Sequence, residues 1–112
     1  MILRFGLKET FIDRINQVLA HYPQVDKAIL YGSRAKGNYK NGSDIDLTLQ
    51  GGSDLTLKVL YRIMDELDDL LLPYIIDLSI FDMISDADVI EHIQHVGVTF
   101  YDKSKATADV AT

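Results

Sequence analysis

The sequence predicts an α+β fold in which helices pack on one face of a small β-sheet. Segments with apolar residues at helical spacing are interspersed with short strands, and the strands alternate apolar with polar side chains, so that one sheet face is apolar. With 112 residues, 47% of them hydrophobic, the chain can form one compact core. We expect residues 1–102 to form this domain and residues 103–112, which lack an apolar pattern, to be a flexible C-terminal tail.

The first helix and the first long strand follow one another. Between Leu7 and Tyr22 apolar residues recur at helical spacing, and Pro23 ends the pattern. The segment Val25 to Tyr31 is rich in β-branched and apolar residues, which favours a buried strand.

A Gly-Ser pair follows this strand. Gly32 allows the backbone to leave the strand in a conformation closed to other residues, and Ser33 can cap a short helix near Arg34. Free backbone N–H groups beside Arg34, Lys36 and Lys40 would suit a phosphate. An ordinary strand-to-helix turn leading into a polar surface loop would account for the same Gly, Ser and Asn residues without any ligand.

Two aspartates begin the next strand, which runs to Leu49. Residues two apart on a strand share a face, so Asp44, Asp46 and Thr48 point away from the core. Two carboxylates side by side repel each other by about 1 kcal/mol in water and more near a protein surface. Mg²⁺ or Mn²⁺ would relieve this repulsion. The alternative is the solvated face of an edge strand.

A second amphipathic helix is predicted over about Leu55 to Leu71, followed by a strand within Tyr74 to Phe81. On that strand Asp77 faces away from the apolar side. If the two strands are neighbours, Asp77 lies beside the two aspartates and can act as a third ligand. Otherwise it is an ion-pair partner for Arg34 or Lys36.

The last helix is predicted from Ser85 to Gly97, with its first residue as the cap and Asp88 in its first turn. His92 and His95 lie on this helix at a spacing that could bind a metal. No third ligand is evident nearby, so we interpret them as solvated. A short strand over Val98 to Tyr101 would end the fold.

Charge and composition exclude several classes of protein. The net charge is −6 and the pI about 4.8, which argues against a broad nucleic-acid-binding surface. There are no cysteines for disulfides or thiolate metal sites. The sequence has no long apolar run and no signal-like N-terminus, so we expect no membrane association and a cytoplasmic location.

The spacing of the polar motif resembles a known signature. Gly32-Ser33, ten intervening residues and Asp44-Ile45-Asp46, with Arg34 after the pair and Ser43 before the first aspartate, is similar to the motif of the DNA polymerase beta-like nucleotidyltransferase superfamily. Within it, the short chain resembles the minimal nucleotidyltransferases (MNT), which are paired with HEPN-domain proteins in toxin–antitoxin systems.

The resemblance implies a mixed sheet of the polymerase beta palm type, ATP as substrate and two Mg²⁺ ions, with Mn²⁺ possible. It implies these site residues: Asp44, Asp46 and Asp77 as catalytic residues and metal ligands, and Gly32, Ser33, Arg34 and Ser43 as nucleotide-binding residues. The activity implied is transfer of AMP to a tyrosine hydroxyl of a HEPN ribonuclease toxin. Two alternatives stay open: a non-catalytic antitoxin that masks its partner, and a nucleotidyltransferase acting on a small-molecule hydroxyl. Homo-oligomerisation is undecided.

Overall fold

The computed structural model describes residues 3–105. Two very short strands precede the first helix, and a four-stranded sheet with its helices forms the rest. In chain order the elements are β1 (Leu3–Arg4), β2 (Leu7–Lys8), α1 (Glu9–Ala20), β3 (Val25–Tyr31), α2 (Ser33–Lys36), β4 (Ile45–Gly51), α3 (Leu57–Asp68), β5 (Ile76–Ile80), a 3-10 turn (Phe81–Met83), α4 (Ala87–Val96) and β6 (Val98–Asp102).

The main sheet has the strand order β5-β4-β3-β6. β3 pairs antiparallel with both β4 and β6, whereas β4 and β5 are parallel and are connected through α3. Parallel neighbours require such a crossover connection, which is usually a helix. The predicted α+β class and mixed sheet are confirmed.

The hydrophobic core lies between one face of this sheet and helices α1 and α3. Its members alternate along the strands and recur at helical spacing on the helices. They include Ile12, Ile15 and Leu19 of α1, Leu60, Ile63 and Leu67 of α3, and Ala28, Leu30, Leu47, Leu49, Leu78 and Ile80 of the strands.

Helix α4 lies on the other face of the sheet. Its His92 ring is edge-on to Tyr31, with ring centroids 6.2 Å apart. At its end, a Cβ placed on Gly97 would run into the side chain of Ile29. Tyr31 and Ile29 are directly opposite Asp46 and Thr48 on β4, so they belong to the polar face. Helices α1 and α3 thus cover the apolar face as predicted, whereas α4 packs on the polar face, which the prediction of helices on one face did not include.

Several helix ends differ from the predictions, and the starts of three helices show why. The first helix begins at Glu9, because Leu7–Lys8 pairs with Leu3–Arg4 as a strand. Gly32, not Ser33, is the residue before α2, and Ser33 is its first helical residue. Ahead of α4 the cap is Asp86 rather than Ser85, because the Asp86 carboxylate accepts hydrogen bonds from two backbone N–H groups of the first turn.

The chain continues beyond β6 with a helical turn at residues 103–105. Lys103 donates from Nζ to the Pro23 carbonyl oxygen at 2.8 Å. The remainder of the expected tail, residues 106–112, lies outside the described residues, so a domain boundary at residue 102 stays a prediction. Within residues 3–105 no helix combines the length and apolar character needed to cross a membrane.

Candidate active site

The strand register brings two of the predicted carboxylates together. β4 and β5 are parallel, and Asp46 is directly beside Asp77 in their register. The next pair, Leu47 and Leu78, points into the core, so both carboxylates lie on the opposite face. Asp44 is exposed and precedes β4, two residues before Asp46. The predicted adjacency of Asp77 to Asp46 is confirmed.

The surroundings of Asp46 disfavour the ionised form of its carboxylate when no cation is bound. Burial raises the pKa of Asp46 above its ordinary value, and the negative charges of Asp77 and Asp44 raise this pKa further. The nearby His92 and Arg34 act in the opposite direction on the same pKa, with smaller effects. Ionised Asp46 is thus held where a bound cation would relieve unfavourable energy.

These carboxylates fit a hard divalent cation as pairs. Among residues 3–105 no three or more His, Asp or Glu side chains surround a single point, so a complete protein ligand set is not preformed. Mg²⁺ typically takes only one or two carboxylates and completes its shell with water and substrate phosphates. Asp46 together with Asp77 or Asp44 satisfies that requirement with oxygen donors alone.

The Gly-Ser turn contacts the carboxylates. Gly32 has φ +75° and ψ −157°, a region essentially restricted to glycine. A Cβ on Gly32 would run into the carboxylate of Asp46, so the absence of a side chain allows the turn to approach that group. Ser33, at the start of α2, is partly exposed beside it. The structure thus brings together Gly32, Ser33, Asp46 and Asp77.

Arg34 has a different environment from the one expected. It is only 3% exposed, and its guanidinium donates two hydrogen bonds to the Ser43 carbonyl oxygen, at 3.1 and 2.8 Å, and one to that of Phe5 at 2.9 Å. The rings of Tyr39 and Tyr74 lie 5.2 and 4.8 Å from it. These contacts do not favour the expected direct contact with a nucleotide. They tie the loop after α2 to the N-terminal segment.

Ser43 contributes to the same loop. Its hydroxyl oxygen accepts a hydrogen bond from the Lys40 N–H at 2.9 Å, and its own N–H donates to the Lys40 carbonyl at 3.0 Å. These bonds close a turn just before Asp44. The geometry of Ser43 is that of a loop residue which supports the start of β4.

Two site residues were missed in the sequence. His92, interpreted as solvated, accepts a hydrogen bond from the Gly32 N–H through Nε2 at 3.1 Å. Tyr31 immediately precedes the Gly-Ser pair. Burial raises the pKa of its phenol, a hydrogen bond with Ser79 lowers this pKa, and the negative charges of Asp77 and Asp46 raise it. The position of Tyr31 before Gly32 was a usable signal. No sequence signal indicated His92 as a site residue, because 60 residues separate it from Gly32.

Comparison with known proteins gives the class. Residues 13–106 match the family described as polymerase beta, nucleotidyltransferase. This match spans most of the sequence, and the chain therefore belongs to the polymerase beta nucleotidyltransferase family. A search of curated proteins gives no significant match.

Several solved structures share the fold. A chain of a toxin–antitoxin complex with AMP-PNP is 18% identical, with a TM-score of 0.66, and the match covers 85% of this chain and 76% of that one. A chain of the MntA-HepT toxin–antitoxin is 15% identical, with a TM-score of 0.63, and the match covers 88% of this chain and 76% of that one. A chain from the structure of the tri-AMPylated Shewanella oneidensis HEPN toxin in complex with MNT antitoxin is 15% identical, with a TM-score of 0.63. This match covers 89% of this chain and 76% of that one. At these identities the likeness establishes the fold.

Proposed function

We propose that this chain is a Mg²⁺-dependent nucleotidyltransferase that transfers AMP from ATP to a tyrosine hydroxyl of a HEPN-type toxin and so acts as its antitoxin. The observation that carries the proposal is the placement of Asp46 beside Asp77 and against the Gly32 turn, in a chain of the nucleotidyltransferase family. Two structural neighbours support the finer assignment: one complex contains AMP-PNP, and another contains an AMPylated HEPN toxin.

In this proposal the turn and the carboxylates have separate roles. The backbone after Gly32 and the hydroxyl of Ser33 would hold the triphosphate by hydrogen bonds. Asp46 would hold one divalent cation together with Asp44 and a second together with Asp77, and such cations would neutralise charge on the phosphate oxygens. Arg34 and Ser43 act indirectly, since their bonds fix the loop that leads from α2 into β4.

Asp77 is the proposed general base for the acceptor hydroxyl. Its carboxylate is exposed at the edge strand β5, where a partner's side chain can approach. The phenolic oxygen attacks the α-phosphorus of ATP, the bond from that phosphorus to the bridging oxygen breaks, and pyrophosphate leaves. Asp77 accepts the phenolic proton. A phenol has a pKa of about 10 and is far easier to deprotonate than an aliphatic hydroxyl, which suits a carboxylate base.

The test is mass spectrometry of a HEPN-domain protein, the proposed partner, after its incubation with this chain, ATP and Mg²⁺. Wild type is expected to leave an adenylyl group on a tyrosine, and Asp77→Asn is expected to leave none. Asp54→Asn is the matched control, because Asp54 is exposed beyond the opposite end of β4. Neutralisation of the partner without any adduct would contradict the proposal in favour of a binding antitoxin. Modification of a small hydroxyl compound alone would contradict the protein acceptor.

A further inference from the structure

Helix α4 contributes a side chain to the Gly-Ser turn. The last residue pair between β3 and β6 is Leu30 with Val98, so β6 offers no partner to the residues of the chain beyond Leu30. The segment immediately before β6 is α4, and its His92 reaches the turn instead. The Nε2 atom of His92 accepts the Gly32 N–H at 3.1 Å.

His92 is held in this position by packing. Its ring is edge-on to Tyr31 at an interplanar angle of 79°. At the end of the helix, Gly97 has no side chain, and a Cβ there would run into the Ile93 carbonyl and the side chain of Ile29. Ile93 itself is only 4% exposed. The close approach of α4 to β3 therefore determines where the imidazole lies.

The hydrogen bond acts on the most constrained residue of the site. Gly32 has a backbone conformation that persists only when surrounding contacts determine it, and it lies against the Asp46 carboxylate. An acceptor fixed by a packed helix provides such a contact. Since Nε2 accepts, a neutral His92 carries its proton on Nδ1.

We propose that His92 is a positioning residue for the nucleotide: its Nε2 holds the Gly32 amide and so fixes the turn that receives the triphosphate. The inference rests on the proposed function, because it takes its ligand, MgATP, from that proposal. The hydrogen bond itself can be tested without any ligand, so the two can fail separately.

The first experiment uses nuclear magnetic resonance on the nucleotide-free chain at pH 8. Long-range ¹H–¹⁵N spectra are expected to show His92 with its proton on Nδ1 and an unprotonated Nε2. The Gly32 amide proton is expected to move to lower frequency in His92→Ala and to stay unchanged in His95→Ala. His95 is the matched control, because it is exposed on the same helix and its ring forms a hydrogen bond with the Glu91 carbonyl of that helix. An unshifted Gly32 amide in His92→Ala would overturn the inference.

The second experiment measures the affinity for MgATP by calorimetry. His92→Ala is expected to bind about three- to tenfold more weakly than wild type, as for loss of one net hydrogen bond. His92→Gln, whose side-chain oxygen can accept the same N–H, is expected to restore affinity to within about twofold. His95→Ala is expected to bind as wild type does.

The outcomes separate the two proposals. If wild type binds MgATP and His92→Ala binds equally well, the role of His92 is refuted and the proposed function stands. If His92→Gln folds but binds no better than His92→Ala, the hydrogen bond is not the cause and the inference is again refuted. If wild type does not bind MgATP, the proposed function fails, and the nucleotide role of His92 fails with it.

Discussion

Replacement of Gly32 by alanine tests the geometry of the site directly. Gly32 and Gly37 both have positive φ, +75° and +88°, and both flank the short helix α2. A Cβ at Gly37 would meet nothing within 4 Å, whereas a Cβ at Gly32 would run into the Asp46 carboxylate. Both substitutions therefore incur a backbone penalty, but Gly32 has the more restricted conformation and its Cβ also meets a steric contact.

The magnitudes follow from this comparison. A non-glycine residue in a left-handed conformation costs roughly 1–2 kcal/mol, which is the loss of unfolding free energy expected for Gly37→Ala. Gly32→Ala incurs about 1–3 kcal/mol for its more restricted conformation, and the Asp46 side chain must also move. We expect a total loss of about 2–4 kcal/mol.

Urea denaturation of both variants measures these losses, and calorimetry with MgATP measures the functional effect. Gly32→Ala is expected to lose at least about tenfold in affinity, since the side chain of Asp46, a proposed cation ligand, is displaced. Gly37→Ala is expected to retain wild-type affinity. If Gly32→Ala binds MgATP as wild type does, the turn does not lie against the ligand site and the assignment is wrong.

Two further predictions concern stability. Because burial and the neighbouring carboxylates raise the pKa of Asp46, its ionised form is less favourable in the folded chain than in the unfolded one. That cost is absent below the ordinary aspartate pKa of about 3.9 and develops as pH rises through the raised value. Asp46→Asn should therefore raise the melting temperature at pH 7 without Mg²⁺ and leave it unchanged near pH 3; an equal effect at both pH values would exclude this cause. Arg34→Lys should cost about 2–4 kcal/mol of unfolding free energy, because an ammonium cannot reach both Ser43 and Phe5 as the guanidinium does. If Arg34→Lys unfolds at the same urea concentration as wild type, that prediction is wrong.

Much of the fold could be predicted because its elements have strong local patterns. The apolar stripes of α1 and α3 and the alternation in β4 and β5 indicated each element and its buried face. The same alternation placed Asp46 and Asp77 on one face. Only the adjacency of their strands had to be assumed, and the parallel register confirms it.

Other features depended on contacts that leave no local trace. The role of Arg34 depends on the Phe5 carbonyl, 29 residues earlier, and a main-chain oxygen gives no sequence signal. The amphipathic pattern of α4 identified its apolar side but not the sheet face on which it packs, so the sequence did not place His92 near Gly32. At the start of α4, Ser85 and Asp86 are both good capping residues, and only the geometry distinguishes them.

The most direct test of nucleotidyl transfer compares two positions of label in ATP. The chain, Mg²⁺ and a HEPN-domain protein, the proposed partner, are incubated with ATP labelled at the α- or the γ-phosphate, and the label bound to protein is measured. The account predicts incorporation from the α-phosphate alone, and its loss in Asp46→Asn and in Asp77→Asn. Incorporation from the γ-phosphate would indicate phosphorylation instead, and undiminished α-label in either variant would contradict the role of these carboxylates.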